Sequence, residues 1–490
     1  MDGHSESEPL LLDVAPVEHR PVPRRTFWRV VLLSYAMLFC SQLYASSFNT
    51  VLYETLEGLL CRDMYDDVGD PLADPRCKGE AVQSELSLLT SIEASFEMLP
   101  PMLCGIVYGL IADVYGRRPI LILSTFGAVL YGALDIAICW FHDYVHIKFF
   151  WAVPIVYFFT GGGLVAASIN YTVVTDVSTK SQRSAIFLAI TSAFLLGAFF
   201  GAYLAAALLP LGHYFAMCAI LSVQILGLCA SCFVPETITI REKPQDSVSD
   251  AMPFRKKLSA KIAQLRVQSL ASLRDIFWGG NTKLTLLLMS TLFTGVGKHL
   301  VSSVMKQYAV KRYELSWANA GIILSYANLV RLALCFAGIP LLVTALRMAK
   351  VLPIIQDAWI SRVSVLVAVT CSCLAGAAPD VGVFTVSVIL YALSSCLEPT
   401  VRSLVVAMGR DAGTGSIISA LEVLTAVSIA IAGPVIAATF RLGMRLGGGW
   451  IGLPMYIGGG IMVPGALILL FMRFDKEVAE ELAEESEGLL

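Results

Sequence analysis

The amino-acid sequence predicts an all-α membrane protein with twelve transmembrane helices in two six-helix bundles. Three observations support this fold class. The 490 residues are 56% hydrophobic and only 15% charged, with a mean hydropathy of +0.71, which is too apolar for a soluble domain of this size. About a dozen apolar segments are long enough to cross a bilayer. A long polar segment follows the sixth of them and divides the chain into two halves.

The predicted spans follow from the roughly twenty apolar residues that a helix needs to cross the hydrocarbon core. They lie near 28–53, 87–112, 119–140, 149–175, 184–209, 214–234, 284–309, 317–342, 361–378, 382–408, 413–440 and 449–472. Basic residues concentrate in every second connection, which the positive-inside rule assigns to the cytoplasm, so both chain ends are expected there. The basic residues Lys306, Lys311, Arg312, Arg441 and Arg445 depart from this rule because they fall on the predicted outer side.

The domain organisation follows from these spans. We expect a cytoplasmic tail at 1–27, a first bundle at 28–234, a cytoplasmic linker at 235–283, a second bundle at 284–472 and an acidic cytoplasmic tail at 473–490. The formal charge of -3 argues against a nucleic-acid partner. The first residues are acidic and polar, so no removable signal peptide is expected.

The connection predicted at 54–86 is rich in Asp and Glu and carries Cys61 and Cys77 in a polar stretch. An oxidising outer face favours a disulfide between them. Such a bond would stabilise this small ectodomain by about 3 kcal/mol in the chain-entropy model. The alternative is two free thiols. The other ten cysteines lie in apolar segments, where they are expected to be small buried hydrophobic residues.

The linker contains apolar residues at helical spacing with basic residues on the remaining faces. The apolar set is Phe254, Leu258, Ile262, Leu265, Leu270 and Leu273, and the basic set is Arg255, Lys256, Lys257, Lys261, Arg266 and Arg274. This pattern predicts an amphipathic helix that lies on the inner leaflet. The alternatives are a calmodulin-type target and a plain linker.

A short motif after the second span carries the most specific information. The stretch GIVYGLIADVYGRRP, residues 105–119, places Gly109, Asp113, Gly116, Arg117 and Arg118 in register. It resembles the loop between the second and third helices of the major facilitator superfamily, written G-x-L-a-D-r-x-G-R-[RK]. The resemblance implies the major facilitator fold, solute transport and a breakable cytoplasmic latch. The alternative is a loop whose arginines only obey the positive-inside rule. Asp176 and Arg183, at the cytoplasmic end of the fourth span, are interpreted as an intracellular ion-pair gate.

Ionisable residues at membrane depth are costly unless they face water or a partner, so they mark the candidate pathway for substrate and protons. Glu93 and Glu97 share one face of the second helix. Two carboxylates in a medium of low dielectric would retain at least one proton, which suits a proton carrier; the alternative is solvation near the outer end. Asp135 is expected to be a solvated cap near the outer end of the third helix.

The remaining candidates for the pathway are polar residues of the fourth helix and of the second bundle. They are Asn170, Lys298, His299, Arg331, Glu398, Arg402 and Glu422. Glu398 and Arg402 have a spacing that permits a salt bridge. The bridge could be structural, but Ser394, Ser395 and Pro399 predict a broken, polar helix around Arg402 and favour a contact with substrate or proton.

A finer resemblance rests on three short stretches: PTVRSLV at 399–405, GTGSIISALEVLTAVSIAIAGP at 413–434 and TDVSTKSQRSAIF at 175–187. They resemble the proton-coupled folate transporter branch and related fungal facilitators. On matching positions, the resemblance gives Arg402 a role in handling protons and substrate, and makes Asp176 the acidic residue that closes the fourth helix. The chain lacks the branch's glutamate near Thr191 and its cysteine between the seventh and eighth helices, so folate is not implied as the substrate.

These observations predict a secondary active transporter, not an enzyme, that is driven by protons. The resemblance to fungal facilitators, which are often exporters, implies export of a drug or secondary metabolite. The alternatives are proton-coupled uptake of an organic anion through Arg402 and Arg331, and a non-transporting solute receptor. There is no P-loop, so ATP is not expected to supply the energy. No cofactor or metal is expected. The expected partners are a small-molecule solute, protons and the lipid bilayer, and the chain is expected to be a monomer.

The expected location is the plasma membrane. Acidic dileucine patterns at 6–11 and 485–490 make a vacuolar or endosomal membrane the alternative.

Overall fold

The computed structural model describes residues 23–65, 67, 69, 71, 74–178, 180–237, 282–349, 351–408 and 414–472. The predicted basic helix of the linker, residues 1–22 of the predicted N-terminal tail, the predicted C-terminal tail and the two dileucine patterns lie outside these residues. Residues 24–27, predicted as tail, are part of the first helix.

Twelve helical spans follow one another along the described chain. Eleven are long and apolar enough to cross a membrane, and a twelfth qualifies if the bent second helix is taken as one span. The first half holds six spans: α1 Arg24–Met64, α2 Glu80–Tyr115, α3 Arg117–Trp140, α4 Ile147–Val177, α5 Lys180–Leu208 and α6 His213–Cys232. The second half holds α7 Thr282–Tyr313, α8 Trp317–Leu346, α9 Pro353–Ala377, α10 Val381–Met408, α11 Thr414–Leu446 and α12 Leu453–Phe471.

The connection between α1 and α2 is shorter than the sequence predicts. Helix α1 runs on to Met64 and α2 begins at Glu80, so both ends of the predicted loop at 54–86 are helical. The residues Leu52, Leu56, Leu59 and Leu60 recur at helical spacing and are all buried, which keeps the helix in place beyond the hydropathy window. Glu54 and Glu57 lower the local hydropathy and hide this continuation from a window scan.

Breaks in the spans coincide with residues that interrupt a helix. Helix α2 bends by 44° between Glu80–Gly105 and Val107–Asp113, shortly after Pro100 and Pro101. Helix α8 contains a π turn at Leu334–Gly338, and Pro340 follows two residues later. Helix α10 contains a 3-10 turn at Leu393–Cys396, at the place where the sequence predicts a broken helix.

The spans pack into two halves, α1–α6 and α7–α12. Helix α1 packs on α5 and α6, and α12 packs on α7 and α9. The halves meet mainly through α2 against α11 and α5 against α8. A Cβ atom at Gly458 of α12 would lie 2.6 Å from a methyl carbon of Val301 in α7. Close helix packing therefore explains this glycine of the triplet at 458–460.

Cys61 and Cys77 form a disulfide, with their Cα atoms 5.1 Å apart. It joins the end of α1 to the 3-10 helix Pro75–Lys78. Asp74 caps that short helix, and hydrogen bonds from Arg76 hold the pKa of the Asp74 carboxyl below its usual range. Following the predicted topology, we call the end of the bundle that carries this disulfide the outer end and the opposite end the inner end.

Candidate functional site

The outer end is closed by side chains from both halves. Glu57 of α1 accepts a hydrogen bond from Gln83 of α2 at 3.0 Å, and its other carboxylate oxygen accepts one from the indole N–H of Trp317 in α8. Glu57 and Trp317 are 7% and 2% exposed. The carboxylate therefore links the two halves in a place that water does not reach, where a hydrogen bond to a charged group contributes most.

Four further contacts join the halves at the same end. Gln307 of α7 donates to the backbone oxygen of Gln83 at 2.9 Å, and the Lys306 ammonium donates to Thr50 of α1 at 2.9 Å. Arg441 lies 3.7 Å from Glu85, and Arg445 lies 3.3 Å from Glu80. We refer to these five contacts together as the outer gate. Lys306, Arg441 and Arg445, which depart from the positive-inside rule, thus bind partners across the outer gate. Their departure from the rule was the signal in the sequence that could have indicated this gate.

The inner-end motif forms a network within the first half. Asp113 and Arg117 make an ion pair at 2.6 Å, and the Arg117 Nε atom lies 3.5 Å from an Asp176 oxygen. Thr237, at the start of the linker, donates a hydrogen bond to Asp176 at 3.1 Å. The structure therefore brings together three of the predicted gating residues from α2, α3 and α4.

The sequence interpretation missed Glu236 in this network. Its carboxylate accepts hydrogen bonds from the backbone N–H groups of Arg117 and Arg118, at 2.9 and 3.1 Å. An anion at the first turn of a helix satisfies free N–H groups and interacts favourably with the helix dipole. Gly116 has φ +118° and no room for a side chain, because a Cβ atom would lie 2.9 Å from the Glu236 carboxyl carbon. At Gly109 a Cβ atom would have open space, so that glycine has no steric requirement in this state.

Three carboxyl groups meet in the interior of the first half. Glu93 and Glu97 of α2 and Asp135 of α3 are close enough for their charges to repel one another. Glu93 is 7% exposed, Asp135 is 1% exposed and Glu97 is half-buried. The expectation that Asp135 is a solvated cap is wrong, because α3 continues past it to Trp140 and its side chain is buried. We call these three residues the carboxyl cluster.

The basic candidates of α7 face the other half. Lys298, Ser302 and Lys306 recur at intervals of four, so they form one stripe along the helix. Lys306 touches Thr50 of α1, which fixes the direction of the stripe. The same spacing places His299 two turns from Gln307, which touches Gln83 of α2. Lys298 and His299 therefore lie on the face of α7 that looks toward the first half.

A charged group sits between α7, α8 and α10. The Lys298 ammonium binds Glu398 at 2.8 Å, and the Glu398 side chain is 75% exposed. Arg331 of α8 donates to Asn328 at 3.1 Å, while its buried Nε atom has no partner among the described residues. Lys298, Arg331 and Arg402 all exert an attractive charge on Glu398. Glu398 is thus paired across helices with Lys298 and is also near Arg402, one turn away on its own helix. We call Lys298, Arg331, Glu398 and Arg402 the cationic cluster.

Asn170 is a structural residue in this state. It is 1% exposed and its amide donates to the backbone oxygen of Ser34 at 3.2 Å, which ties α4 to α1. The sequence placed it in the substrate pathway because it lies at membrane depth. In this state its side chain is buried between helices, and a contact with substrate stays a prediction. The side chains of Arg183 and Glu422 lie outside the described part of the structure.

Twelve apolar spans in two halves, joined across an outer gate and carrying ionisable side chains inside, define a membrane transporter. The chain belongs to the major facilitator superfamily, whose family model matches residues 31–433. It is therefore a transporter and not an enzyme.

Two curated relatives are fungal. The chain is 23% identical to the MFS efflux pump atnC of Emericella nidulans, over 97% of this chain and 94% of the pump. It is 24% identical to the efflux pump ustT of Aspergillus flavus, over 80% of this chain and 78% of the pump. The resemblance to the folate transporter branch is not shown by these comparisons, which point to fungal efflux pumps instead.

Solved structures share the fold. The human organic anion transporter MFSD10 (TETRAN) has a TM-score of 0.58 at 18% identity, covering 91% of this chain and 100% of that chain. A POT family transporter in complex with a thioalcohol-conjugated peptide has a TM-score of 0.62 at 15% identity, covering 92% and 98%. At these identities, the likeness describes the fold alone.

Proposed function

We propose that this chain exports a small organic compound across a membrane by alternating access and that an inward flow of protons drives the export. Ionisable residues segregate between the halves, and this observation carries the proposal. The carboxyl cluster lies in the first half, whereas the cationic cluster lies in the second half, with Lys298 and Arg331 on α7 and α8, two helices that contact the first half. Proton and cargo can therefore bind at separate places and act on the same rocking motion.

The carboxyl pair of α2 supports the proton side of the proposal. Glu93 and Glu97 are one helical turn apart, and Glu93 has almost no contact with solvent. Two or more carboxylates that share a buried space cannot all remain ionised, because each added charge is repelled by the others and is poorly solvated. Such a group takes up protons on one side of the membrane and can release them on the other.

The relatives support the direction of transport. Two of them are named efflux pumps, and they align with most of this chain. Cargo that enters from the inner end would meet the cationic cluster and the stripe of α7 before it reached the closed outer gate. Drugs and secondary metabolites are the cargo classes that we expect, since a partly apolar compound can be held by the helices that surround these few polar groups.

A second candidate function, proton-coupled uptake of an organic anion, is favoured by one observation. Three cationic side chains surround the single carboxylate of Glu398, so the cluster carries an excess of positive charge. An anionic cargo could balance that charge by bidentate contact with Arg331 or Arg402.

The direction of flux distinguishes these functions. Strains that lack or overproduce the protein would first be tested for growth against a panel of toxic compounds. A compound whose tolerance changes would then be labelled and followed in inside-out vesicles with an imposed pH gradient. Export predicts accumulation inside these vesicles when their lumen is acidic. Accumulation only under the opposite gradient would support uptake, and binding without any counterflow of labelled compound would support a solute receptor.

The plasma membrane is the location that we propose, with the vacuolar or endosomal membrane as the alternative. Export from the cell requires the outer end to face the medium, as the disulfide of Cys61 and Cys77 also favours. A monomer suffices for this function, since each chain holds both halves and both clusters. Imaging of a tagged protein and its mass in detergent would test these two proposals.

A further inference from the structure

Asp135 is the least solvated member of the carboxyl cluster. It lies on α3, is 1% exposed, and neither of its carboxylate oxygens accepts a hydrogen bond from any described residue. Among the described residues, no lysine, arginine or histidine forms an ion pair with it or with Glu93 and Glu97. The Asp135 side chain is therefore buried and has no positive partner in the part of the chain that the structure describes.

The titratable groups that face Asp135 come from α1, α2, α4 and α3 itself, and all of them are acids. Glu93 and Glu97 come from α2, and Cys139 lies one turn further along α3. The others are tyrosine hydroxyls from α1 and α4, namely Tyr44, Tyr53 and Tyr157. Tyr131, one turn before Asp135, stacks on Tyr157 with ring centroids 4.8 Å apart, and its buried hydroxyl has no partner among the described residues. The site thus offers a carboxyl and a free hydroxyl in the same apolar space.

An ionised carboxylate in such a place would be strongly destabilised. Transfer of an unpaired charge into a medium of low dielectric is strongly unfavourable, even after the surrounding protein relaxes. A neutral carboxylic acid avoids that cost and can donate a hydrogen bond when a neighbour moves within reach. The described geometry thus fits the protonated form of Asp135 while the outer gate is closed.

We propose that Asp135 is a proton-binding site of this transporter and that Glu93 and Glu97 form the route by which its proton leaves. The inference rests on the proposed proton-driven transport and assigns the site of that coupling. The exposure of the three carboxyl groups rises from Asp135 through Glu93 to the half-buried Glu97, which gives the order of the relay. The proton passes as H⁺ between carboxyl oxygens, and no other bond changes.

Helix α1 connects this site to the outer gate. Tyr44 of α1 lies directly over α3, since a Cβ atom at Gly132 would lie 3.1 Å from its Cζ atom. The same helix carries Thr50 and Glu57, two residues of the outer gate. When Asp135 loses its proton, its buried side chain acquires a charge that is stable only with hydration or a partner. Release of the proton therefore favours a state in which α1 and α3 separate enough to hydrate the carboxylate.

Infrared spectroscopy tests the proton site without a known cargo. The purified protein would be measured at neutral pH, where a protonated carboxylic acid has a carbonyl band distinct from that of a carboxylate. Wild type is expected to show this band, and Asp135→Asn is expected to lose intensity equal to one group. Asp135→Glu should retain the band. Asp143→Asn is the matched control, because Asp143 is exposed after the end of α3 and should not affect it. A band that is unchanged in Asp135→Asn would overturn the proposal.

Transport tests the role of the site. In vesicles loaded with the compound found in the growth screen, Asp135→Asn should abolish accumulation driven by a pH gradient while counterflow at equal pH persists. Unaltered gradient-driven accumulation in this variant would overturn the proposal. The proposed function and the proposed proton site can fail independently. Wild-type transport that does not depend on the pH gradient would refute proton-driven export. The infrared band decides whether Asp135 holds a proton, whatever the transport result. A melting temperature within the range of the Asp143→Asn control shows that the variant is folded.

Discussion

Replacement of Trp317 by Phe should open the outer gate. The change removes the indole N–H that donates to Glu57 and makes the buried side chain smaller, while an aromatic ring is retained at the contact with Tyr53. A hydrogen bond to a charged group contributes about 1.5 to 3 kcal/mol, and loss of one partner leaves a buried carboxylate oxygen unsatisfied. Since about 1.4 kcal/mol corresponds to a factor of ten, the population with an open outer end should rise by about 10- to 100-fold.

Ser302 provides the measurement. It is exposed on the stripe of α7 between Lys298 and Lys306, so a reagent from the outer side reaches it only after the gate opens. A Ser302→Cys variant in sealed right-side-out vesicles would be labelled with a membrane-impermeant maleimide, and the rate would be corrected for the native cysteines. The rate should increase by the factor above when Trp317→Phe is added.

A matched control is Trp450→Phe. Trp450 lies in the connection before α12 and is 55% exposed, so its indole contributes little to the closed state. The reasoning is refuted if Trp317→Phe leaves the labelling rate unchanged in folded protein, or if the control raises the rate by the same factor.

Three further predictions concern the disulfide, the inner-end network and the cationic cluster. Cys61→Ser should lower the free energy of unfolding by about 3 kcal/mol, the value for a closed loop of this size. The control Cys218→Ser, at an exposed free cysteine, should leave the free energy of unfolding unchanged. Equal melting temperatures of the two variants in detergent would contradict this. Asp113→Asn removes the 2.6 Å ion pair with Arg117 and should slow transport at normal expression, so unchanged transport kinetics would refute a gating role. Glu398→Gln removes the carboxylate that pairs with the Lys298 ammonium. Binding of anionic compounds should become about tenfold tighter, the effect of one charge-assisted contact. Weaker or unaltered binding in a titration would exclude an anion site.

The fold was predictable because membrane spans are a property of local composition. Twelve helices and two halves follow from the lengths of the apolar segments. Helix ends were less predictable where the amphipathic pattern outlasts the hydropathy, as in α1 beyond residue 53. Prolines in the sequence mark the place where α2 bends, and serines mark the place of the 3-10 turn in α10. The size of the bend in α2 could not be read from the sequence.

Contacts within one helix turn could be anticipated, whereas contacts between distant segments could not. The Asp113 and Arg117 pair is four residues apart, and the motif pointed to it. Glu57 and Trp317 are 260 residues apart, and nothing in either local sequence links them. Glu236 lies 119 residues from the helix that it caps. Asp135 was misjudged because its position near the end of α3 suggested solvent, whereas the packed structure buries its side chain.

The most direct test of the account is a simultaneous measurement of cargo and protons. The purified protein would be reconstituted into liposomes that contain a pH-sensitive dye, and the labelled compound from the growth screen would be supplied with an imposed pH gradient. We predict that cargo moves against the direction of the protons, that both fluxes stop together in Asp135→Asn, and that both persist in Asp143→Asn. Cargo movement with no accompanying proton flux, or no flux of either kind in the wild type, would contradict the claim that this chain is a proton-driven exporter.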